Sequence, residues 1–217
     1  SMGEMINKIA QQWRQPLTHL GFINMNLQLW LEEEPIDKKY INEKIEESNA
    51  QLDFMSKTID NFRDFYKINK KKELFYISDA VKKALDIMEP IFKNNKIEFE
   101  FNLIKDKQVD DYENEYSQVI LNILTNAKDV LLSRQIQNPK IVISINQKHN
   151  STITTILDNG GGIENKYINQ IFDPYFTTKE KGSGIGLYMS EMIIKNHFKG
   201  KITACNKANG SIFSIEF

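Results

Sequence analysis

The chain has 217 residues, of which 28 are Lys or Arg and 29 Asp or Glu, leaving a formal net charge of −1. That length suits one medium domain or a small domain joined to a larger one, and an apolar share of 41% describes a folded globular protein, not a disordered tail. The charge offers no basic field for nucleic acid or an anionic membrane, one cysteine (Cys205) excludes an intramolecular disulfide and fits a reducing compartment, and three histidines beside it make a structural zinc site improbable.

The N-terminus shows no basic region followed by an apolar stretch, so no signal peptide is expected, and no apolar run approaches the ~20 residues that span a bilayer. Ser1-Met2 reads as a cloning scar and the chain as a fragment of something longer. The first part, 1–70, then reads as two long helices. Ile6, Ile9, Trp13, Leu17, Leu20, Leu27 and Leu31 recur at steps of three, four or seven, and after a break at Glu34-Pro35 the same rhythm runs through Ile41, Ile45, Leu52, Met55, Ile59, Phe62 and Tyr66. Such a period marks an apolar stripe on each helix, and two helices joined by a short loop form an antiparallel hairpin. A lone hairpin leaves part of both stripes bare. Pairing with a second copy would complete a four-helix bundle, so a homodimer is expected, with a helical linker or a monomeric hairpin as the alternative.

The polar run Asn69-Lys70-Lys71-Lys72-Glu73 reads as a linker, and beyond it the pattern becomes mixed over 74–217. A short strand is expected at 74–77, then a helix capped by Ser78 and running to about Asn94, then an alternating strand from Lys96. A helix from Glu113 to about Ile136 carries Val119, Ile120, Ile123, Ala127, Val130 and Leu131 on one face. Strands follow near 141–145 and 153–157, a glycine-rich stretch leads into a helix from about Ser183 to His197, and a closing hairpin turns near Asn209-Gly210. Helices and strands do not alternate strictly, so the expected class is an α+β sandwich, not a doubly wound sheet.

Four motifs in this second part bear on chemistry. Asn122 and Asn126 lie four apart on the long helix, which puts both amides on one face, and an amide oxygen is a hard neutral ligand suited to Mg²⁺. Asp158-Asn-Gly160-Gly-Gly162 follows an apolar strand; a carboxylate at a strand end can accept from an exocyclic amine, and glycines let the backbone approach a flat ring. Phe172-Asp-Pro-Tyr-Phe176-Thr177-Thr178-Lys179 reads as a mobile loop with two apolar pegs, two hydroxyls and a cation able to reach phosphate. Gly182-Ser183-Gly184-Ile185-Gly186-Leu187 precedes a helix, where exposed N–H groups and the positive dipole end favour an anion. Taken singly each is weak: two asparagines are commonly surface residues, and a DxGxG run is commonly a tight turn. No P-loop occurs.

In this order and spacing the four motifs resemble the N, G1, F and G2 boxes of the histidine-kinase branch of the GHKL ATPases, a family that includes gyrase, Hsp90 and MutL-type proteins. The resemblance covers about residues 74–217 and implies ATP and Mg²⁺ as ligands. It implies that Asn126 ligates Mg²⁺, Asn122 lies beside the phosphates and Asp158 binds the adenine amine, with Gly160 and Gly162 lining the base. Lys179 and the run Gly182, Ser183, Gly184, Ile185, Gly186 and Leu187 would close over the triphosphate as a lid, with Phe172, Thr177 and Thr178 in the nucleotide-binding loop before it. Lys128 would add charge near the phosphates, although helical geometry points it off the Asn122–Asn126 face.

On the first helix, Ile9-Ala10-Gln11-Gln12-Trp13-Arg14-Gln15-Pro16-Leu17 looks like the H-box of histidine kinases, with Gln11 at the phospho-acceptor position. Pro16 supports the match, because proline inside a helix costs roughly 3 kcal/mol and frees the carbonyl one turn back. The kinase reaction needs an imidazole nitrogen to attack the γ-phosphate, and an amide has no such lone pair. The chain is therefore expected to bind ATP without autophosphorylating, and Gln11 reads as an engineered replacement. Gln12 cannot serve as a general base. Gln15 stands where phosphatase-active relatives hold a water-orienting residue, and His19, two turns on, reads as an ordinary polar residue. The partners implied are a second copy and a response-regulator receiver domain, in the cytoplasm, with any membrane anchor in absent N-terminal regions. Two other readings remain open: a gyrase- or Hsp90-like ATPase, which Asn122 argues against because those proteins place glutamate there, and a natural pseudokinase serving as a nucleotide-sensing scaffold. A helical interaction protein is the blandest.

Overall fold

The computed structural model describes residues 2–31, 38–65, 71–148, 151–179, 182 and 184–217, and of these the side chains of 2–12, 15, 54 and 57–65 are not described. The chain divides into two compact units, Ser1–Lys67 and Ile68–Phe217.

The first unit holds α1 (Met2–Leu31) and α2 (Lys38–Phe65). Near the connection the Trp30 and Tyr40 rings lie 4.6 Å apart, and farther out His19 Nε2 meets Glu47 Oε1 at 2.6 Å, a pairing that runs the two helices antiparallel. Ile23 and Pro16 are buried, whereas Leu17, Leu31, Ile45 and Leu52 are each close to half exposed. Pro16 lies inside α1, where the ring removes the hydrogen bond to the carbonyl of Gln12. The break at Glu34-Pro35, Tyr66, the start of the linker at Asn69-Lys70, and the side chains of Ile6, Ile9, Ile59 and Phe62 lie outside the described residues.

The second unit contains β1 (Glu73–Tyr76), α3 (Ile77–Asn94), β2 (Glu98–Leu103), β3 (Gln108–Asp111), α4 (Glu113–Ser133), β4 (Lys140–Lys148), β5 (Ser151–Asp158), α5 (Gly186–Asn196), β6 (Lys201–Lys207) and β7 (Gly210–Glu216). Five strands make one mixed sheet in the order β2-β4-β5-β7-β6, with only β2–β4 parallel, and β1 and β3 pair separately. The class is α+β. Alternation along each strand sends Ile141, Ile143 and Ile145 of β4, Ile156 of β5 and Phe213 and Ile215 of β7 into the core. Registers Ile143↔Ile156 and Ile156↔Phe213 align them across the sheet. Against that face α4 buries Tyr116, Val119, Ile120, Ile123 and Leu131, the face expected from its spacing except for Val130, which is only half buried. Tyr116 is fully buried; its hydroxyl donates to Thr154 Oγ1 at 2.8 Å and its ring packs edge-on against Phe198 and Phe217. Burial holds the phenol well above its ordinary pKa, so it stays a donor.

Several boundaries differ from the sequence expectation. Helix α3 begins at Ile77, so Ser78 is buried in the first turn and does not cap it; the loop before β3 supplies the acceptors, with Ile77 N donating to Lys107 O (3.1 Å) and Ser78 N to Asp106 Oδ1 (3.3 Å). Strand β3 was not expected, since Gln-Val-Asp-Asp has no strand alternation; it exists through pairing with β1, Phe75 opposite Val109. Helix α4 stops at Ser133 because Gln135 takes a left-handed φ of 52° and closes a Schellman turn, Gln135 N to Leu132 O and Ile136 N to Leu131 O, both 3.1 Å. Helix α5 starts at Gly186, since Gly184 has φ 64° and cannot join a right-handed helix. The last hairpin turns at Ala208 and Asn209, one residue earlier than expected, with Lys207 opposite Gly210.

Replacing Tyr116 by Phe deprives the buried Thr154 hydroxyl of its donor. We expect a loss of about 1–2 kcal/mol and a Tm lower by about 3–6 °C in a melt followed by circular dichroism; a Tm shift below about 1 °C would show that the pair contributes nothing.

Candidate functional site

The residues singled out in the second unit gather around the C-terminal half of α4, the end of β5 and the N-terminus of α5. On α4, Asn122 and Asn126 share a face, as their spacing requires, but they have different partners. Asn122 Nδ2 donates to Ser190 Oγ of α5 at 3.0 Å, and Ser190 in turn donates to Gly186 O. Gly186 is what permits this approach, because a Cβ there would sit 2.3 Å from Asn122 Oδ1. Asn126 Oδ1 accepts from the Lys179 ammonium at 2.9 Å, and the same ammonium reaches Asp129 Oδ2 at 2.7 Å.

Asp129 was not singled out in the sequence, although its place three residues after Asn126 puts it on the same helical face. Its other oxygen takes Lys128 Nζ at 2.9 Å, so Lys128 turns toward the site through Asp129. Burial opposes ionisation of Asp129, but hydrogen bonds from Lys179 and Lys128 and their charges outweigh it and hold the carboxyl below its ordinary pKa. An amide oxygen already holding a cation, with a carboxylate one turn on, is a hard-oxygen donor set of the kind Mg²⁺ takes, so the residues fit that metal.

At the end of β5, Asp158 faces the helical layer and is 6% exposed. Its Oδ1 accepts from Gly160 N at 2.7 Å and its Oδ2 from Ser211 Oγ at 2.5 Å. A carboxylate has about four lone-pair sites, so acceptor capacity remains for a ligand amine. Gly160 is pressed between Val130 and Asp158, with 2.8 Å from a Cβ position to Val130 Cγ1, and Gly161 and Gly162 have φ of 85° and 78°. Asn206 grips the next residue through both amide atoms, Nδ2 to Ile163 O and Oδ1 from Ile163 N, each 2.7 Å. Gly210, expected as a turn residue, lies instead beneath Asp158: a Cβ would fall 1.7 Å from the Asp158 carbonyl oxygen.

The segment between β5 and α5 is built from turns. Phe172 packs edge-on against Phe213 of the sheet and so anchors the segment, while Phe176 tilts against Tyr167 within the segment itself. Tyr175 has φ 70°, donates its N–H to Gly184 O at 2.7 Å, and burial lifts its phenol to about 12. Gly184 must be glycine there, since a Cβ would lie 2.3 Å from the Tyr175 carbonyl carbon. Thr177 Oγ1 accepts from Lys179 N at 3.1 Å, Thr178 is exposed, and Gly182 N donates to Lys179 O at 3.2 Å. Ile185 is buried and Leu187 half buried. Ser183 and the side chains of Gln11 and Gln15 lie outside the described residues; Gln11 and Gln15 belong to α1 by backbone. Beyond Asp129, sequence reading missed Ser190, Asn206 and Ser211, whose partners lie 43–68 residues away and leave no local signal.

Residues 111–217 match the family described as histidine kinase-, DNA gyrase B-, and HSP90-like ATPase. Over 99% of its length the chain is 30% identical to the two-component sensor PprA of Pseudomonas aeruginosa and 29% identical to the signal transduction histidine-protein kinase AtoS of Escherichia coli. It spans 24% and 34% of those two proteins, a quarter to a third of their length. The catalytic domain of histidine kinase ThkA superposes on 67% of this chain and 95% of its own with a TM-score of 0.59 at 26% identity. A structure of ThkA with the response regulator protein TrrA aligns with 100% of this chain and 61% of its own at a TM-score of 0.63 and 24% identity, a likeness of fold.

Gly210→Ala must push the end of β5 out of place, and we expect it to lower stability by about 3 kcal/mol or more. Gly21→Ala, with open space around an exposed helical position, should raise it by about 0.5–1 kcal/mol. Denaturant unfolding of the two variants checks both; equal effects would contradict the close approach.

Proposed function

We propose that the chain is the catalytic core of a two-component sensor histidine kinase that binds Mg-ATP on its second unit, where residues 111–217 match the histidine kinase-, DNA gyrase B-, and HSP90-like ATPase family. The observation that carries this reading is the buried, donor-satisfied carboxylate of Asp158 at a strand end, in the same unit as an amide oxygen, Asn126 Oδ1, that already holds a cation.

In this reading Asp158 accepts a hydrogen bond from the adenine amine, with Gly160 and Gly162 giving the ring room. Asn126, with Asp129 behind it, holds the metal, and Asn122 lies beside the phosphates. A Mg²⁺ ion held by Asn126 would supply positive charge to offset that of the phosphates. Lys179 cannot keep Asn126 once a metal takes that oxygen; it turns to the phosphates together with Thr177 and Thr178. Phe172 anchors the loop from which they project. The segment from Gly182 through Ser183, Gly184, Ile185, Gly186 and Leu187 brings backbone N–H groups at the start of α5 to the anion. Lys128 contributes charge through Asp129.

The first unit supplies the acceptor helix. The exposure of Leu17, Leu31, Ile45 and Leu52 supports a homodimer in which two hairpins form a four-helix bundle. In a form carrying His at position 11, the imidazole nitrogen attacks the γ-phosphorus, the bond to the β,γ-bridging oxygen breaks, ADP leaves, and the phosphoryl group passes on to an aspartate of a receiver domain. Gln11 has no nitrogen lone pair for that attack, so this chain binds ATP without autophosphorylating. Gln15, one turn on, orients water for dephosphorylation of the receiver. The setting is the cytoplasm, where ATP and receiver are found; among the described residues no helix is long and apolar enough to cross a membrane. The second reading is a natural pseudokinase, a nucleotide-sensing scaffold or phosphatase, favoured only by Gln11 itself.

Calorimetry should show Mg²⁺-dependent ATP binding that weakens by about tenfold or more in Asn126→Ala; no binding to the unsubstituted chain would sink the nucleotide reading. One phosphotransfer assay tests the rest. Gln11→His should acquire acid-labile, ATP-derived phosphate and Gln15→Ala should slow receiver dephosphorylation. Labelling of the unsubstituted chain, or an inert Gln11→His protein that still binds ATP, would move the scaffold reading to first place.

A further inference from the structure

The loop that carries Asp158 is poor in side chains and rich in backbone freedom. Between the carboxylate and Ile163 stand Asn159 and three glycines, two of them at positive φ, and a glycine run of that kind has many conformations of similar energy. Something must hold it. Arg134 does so from outside the loop. Its Nη1 donates to Gly160 O at 2.6 Å and to Gly162 O at 2.8 Å, so one nitrogen staples the two carbonyls that bracket Gly161. A Cβ at Gly161 would sit 3.0 Å from that nitrogen, which closes the space above it. Arg134 itself is the C-cap of α4, locked by its N–H to Val130 O at 3.0 Å and by the Schellman turn that follows.

The consequence runs through one residue, Gly160, whose N–H and C=O lie in adjacent peptide units joined at its Cα. Gly160 C=O is taken by Arg134, while Gly160 N–H donates to Asp158 Oδ1. The guanidinium on Gly160 O, with Asn209 O on Gly161 N–H at 2.7 Å, holds the Gly160–Gly161 peptide and so limits the Gly160 dihedrals that aim the preceding N–H at the carboxylate. With the Ser211 hydroxyl on Oδ2 and the Ser211 N–H at 3.5 Å beside Gly160 N–H on Oδ1, about one of the carboxylate's four acceptor sites is left. We propose that Arg134 is a positioning residue for base recognition, acting through the backbone of Gly160 on the angle at which Asp158 meets a 6-amino group. The inference rests on the nucleotide reading above and adds to it a residue that touches neither base nor phosphate.

The test compares ATP with purine riboside triphosphate, which differs only in lacking the 6-amino group, by calorimetry on the whole chain. Arg134→Met should weaken ATP by about tenfold while leaving purine riboside triphosphate within about twofold, so the preference for the amine collapses. Arg134→Lys should restore most of that preference, because one ammonium nitrogen can bridge both carbonyls as Nη1 does. Melting curves of the unliganded variants within about 2 °C of the parent accompany the expected result. Equal weakening of both triphosphates, or a drop in melting temperature that Lys fails to repair, assigns Arg134 to general stability and overturns the proposal. So does an unchanged preference in Arg134→Met. Tight ATP binding by the parent with no preference for the amine overturns the inference and spares the nucleotide site; no triphosphate binding by the parent overturns both.

Discussion

A carboxylate taken out of water has to be met by donors, and in the second unit Asp158 is met from two directions: the Gly160 N–H in its own loop and the Ser211 hydroxyl on the adjacent strand. The Ser211 donor is in place only when β5 and β7 are paired, because Ser211 follows Gly210 at the start of β7 and Gly210 lies against the Asp158 carbonyl. The central strands are therefore aligned by more than their apolar rows. The end of β5 carries the polar group whose satisfaction depends on the sheet being complete, and that group faces the helices instead of solvent. Loss of either donor would leave a nearly dry charge on a strand end, which few folds tolerate.

Close approach between elements is the second organising constraint, and glycine makes it possible at three places with different partners. Gly186 lets the start of α5 come down on Asn122, Gly184 lets the lid segment cross the backbone of Tyr175, and Gly210 lets β7 lie beneath Asp158. A side chain at any of the three would displace backbone or the Asn122 amide. The motif read as a phosphate-binding run thus has a packing role as well: its glycines bring α4, α5 and the intervening segment close enough for Asn126, Asp129 and Lys179 to share one cation cluster. That cluster ties the segment before α5 to α4 through charge, where the Phe172–Phe213 contact ties its earlier part to the sheet by ring packing.

The first unit follows simpler rules. Its two helices come from an apolar period, and their seam from contacts such as Trp30 with Tyr40 and His19 with Glu47. Much of the stripe stays uncovered within the unit, with Leu52 at 52% exposure, which is the physical ground for a second copy. Position 11 is a separate matter: glutamine is a polar helix residue close in length to histidine, without the basic imidazole nitrogen that the proposed phosphotransfer needs.

Local pattern by itself determined a good deal: the two helices of the first unit, most strands of the second, the amides of Asn122 and Asn126 on one face of α4, and the class of ligand implied by four glycine- and asparagine-bearing motifs. These depend on spacing, and spacing is written in the chain. It did not determine where α5 begins, which follows the left-handed Gly184, nor that the α3 cap comes from Asp106 and Lys107, nor that β3 forms at all. The purpose of Gly210 was likewise hidden, because a turn glycine and a contact glycine look alike until the opposing backbone is known. Asp129 was within reach of helical geometry; Arg134, Asn206 and Ser211 were not, because what each holds lies 26 to 53 residues away. Which groups a side chain serves across the fold is settled by strand register and helix packing, interactions between distant segments that no local period encodes.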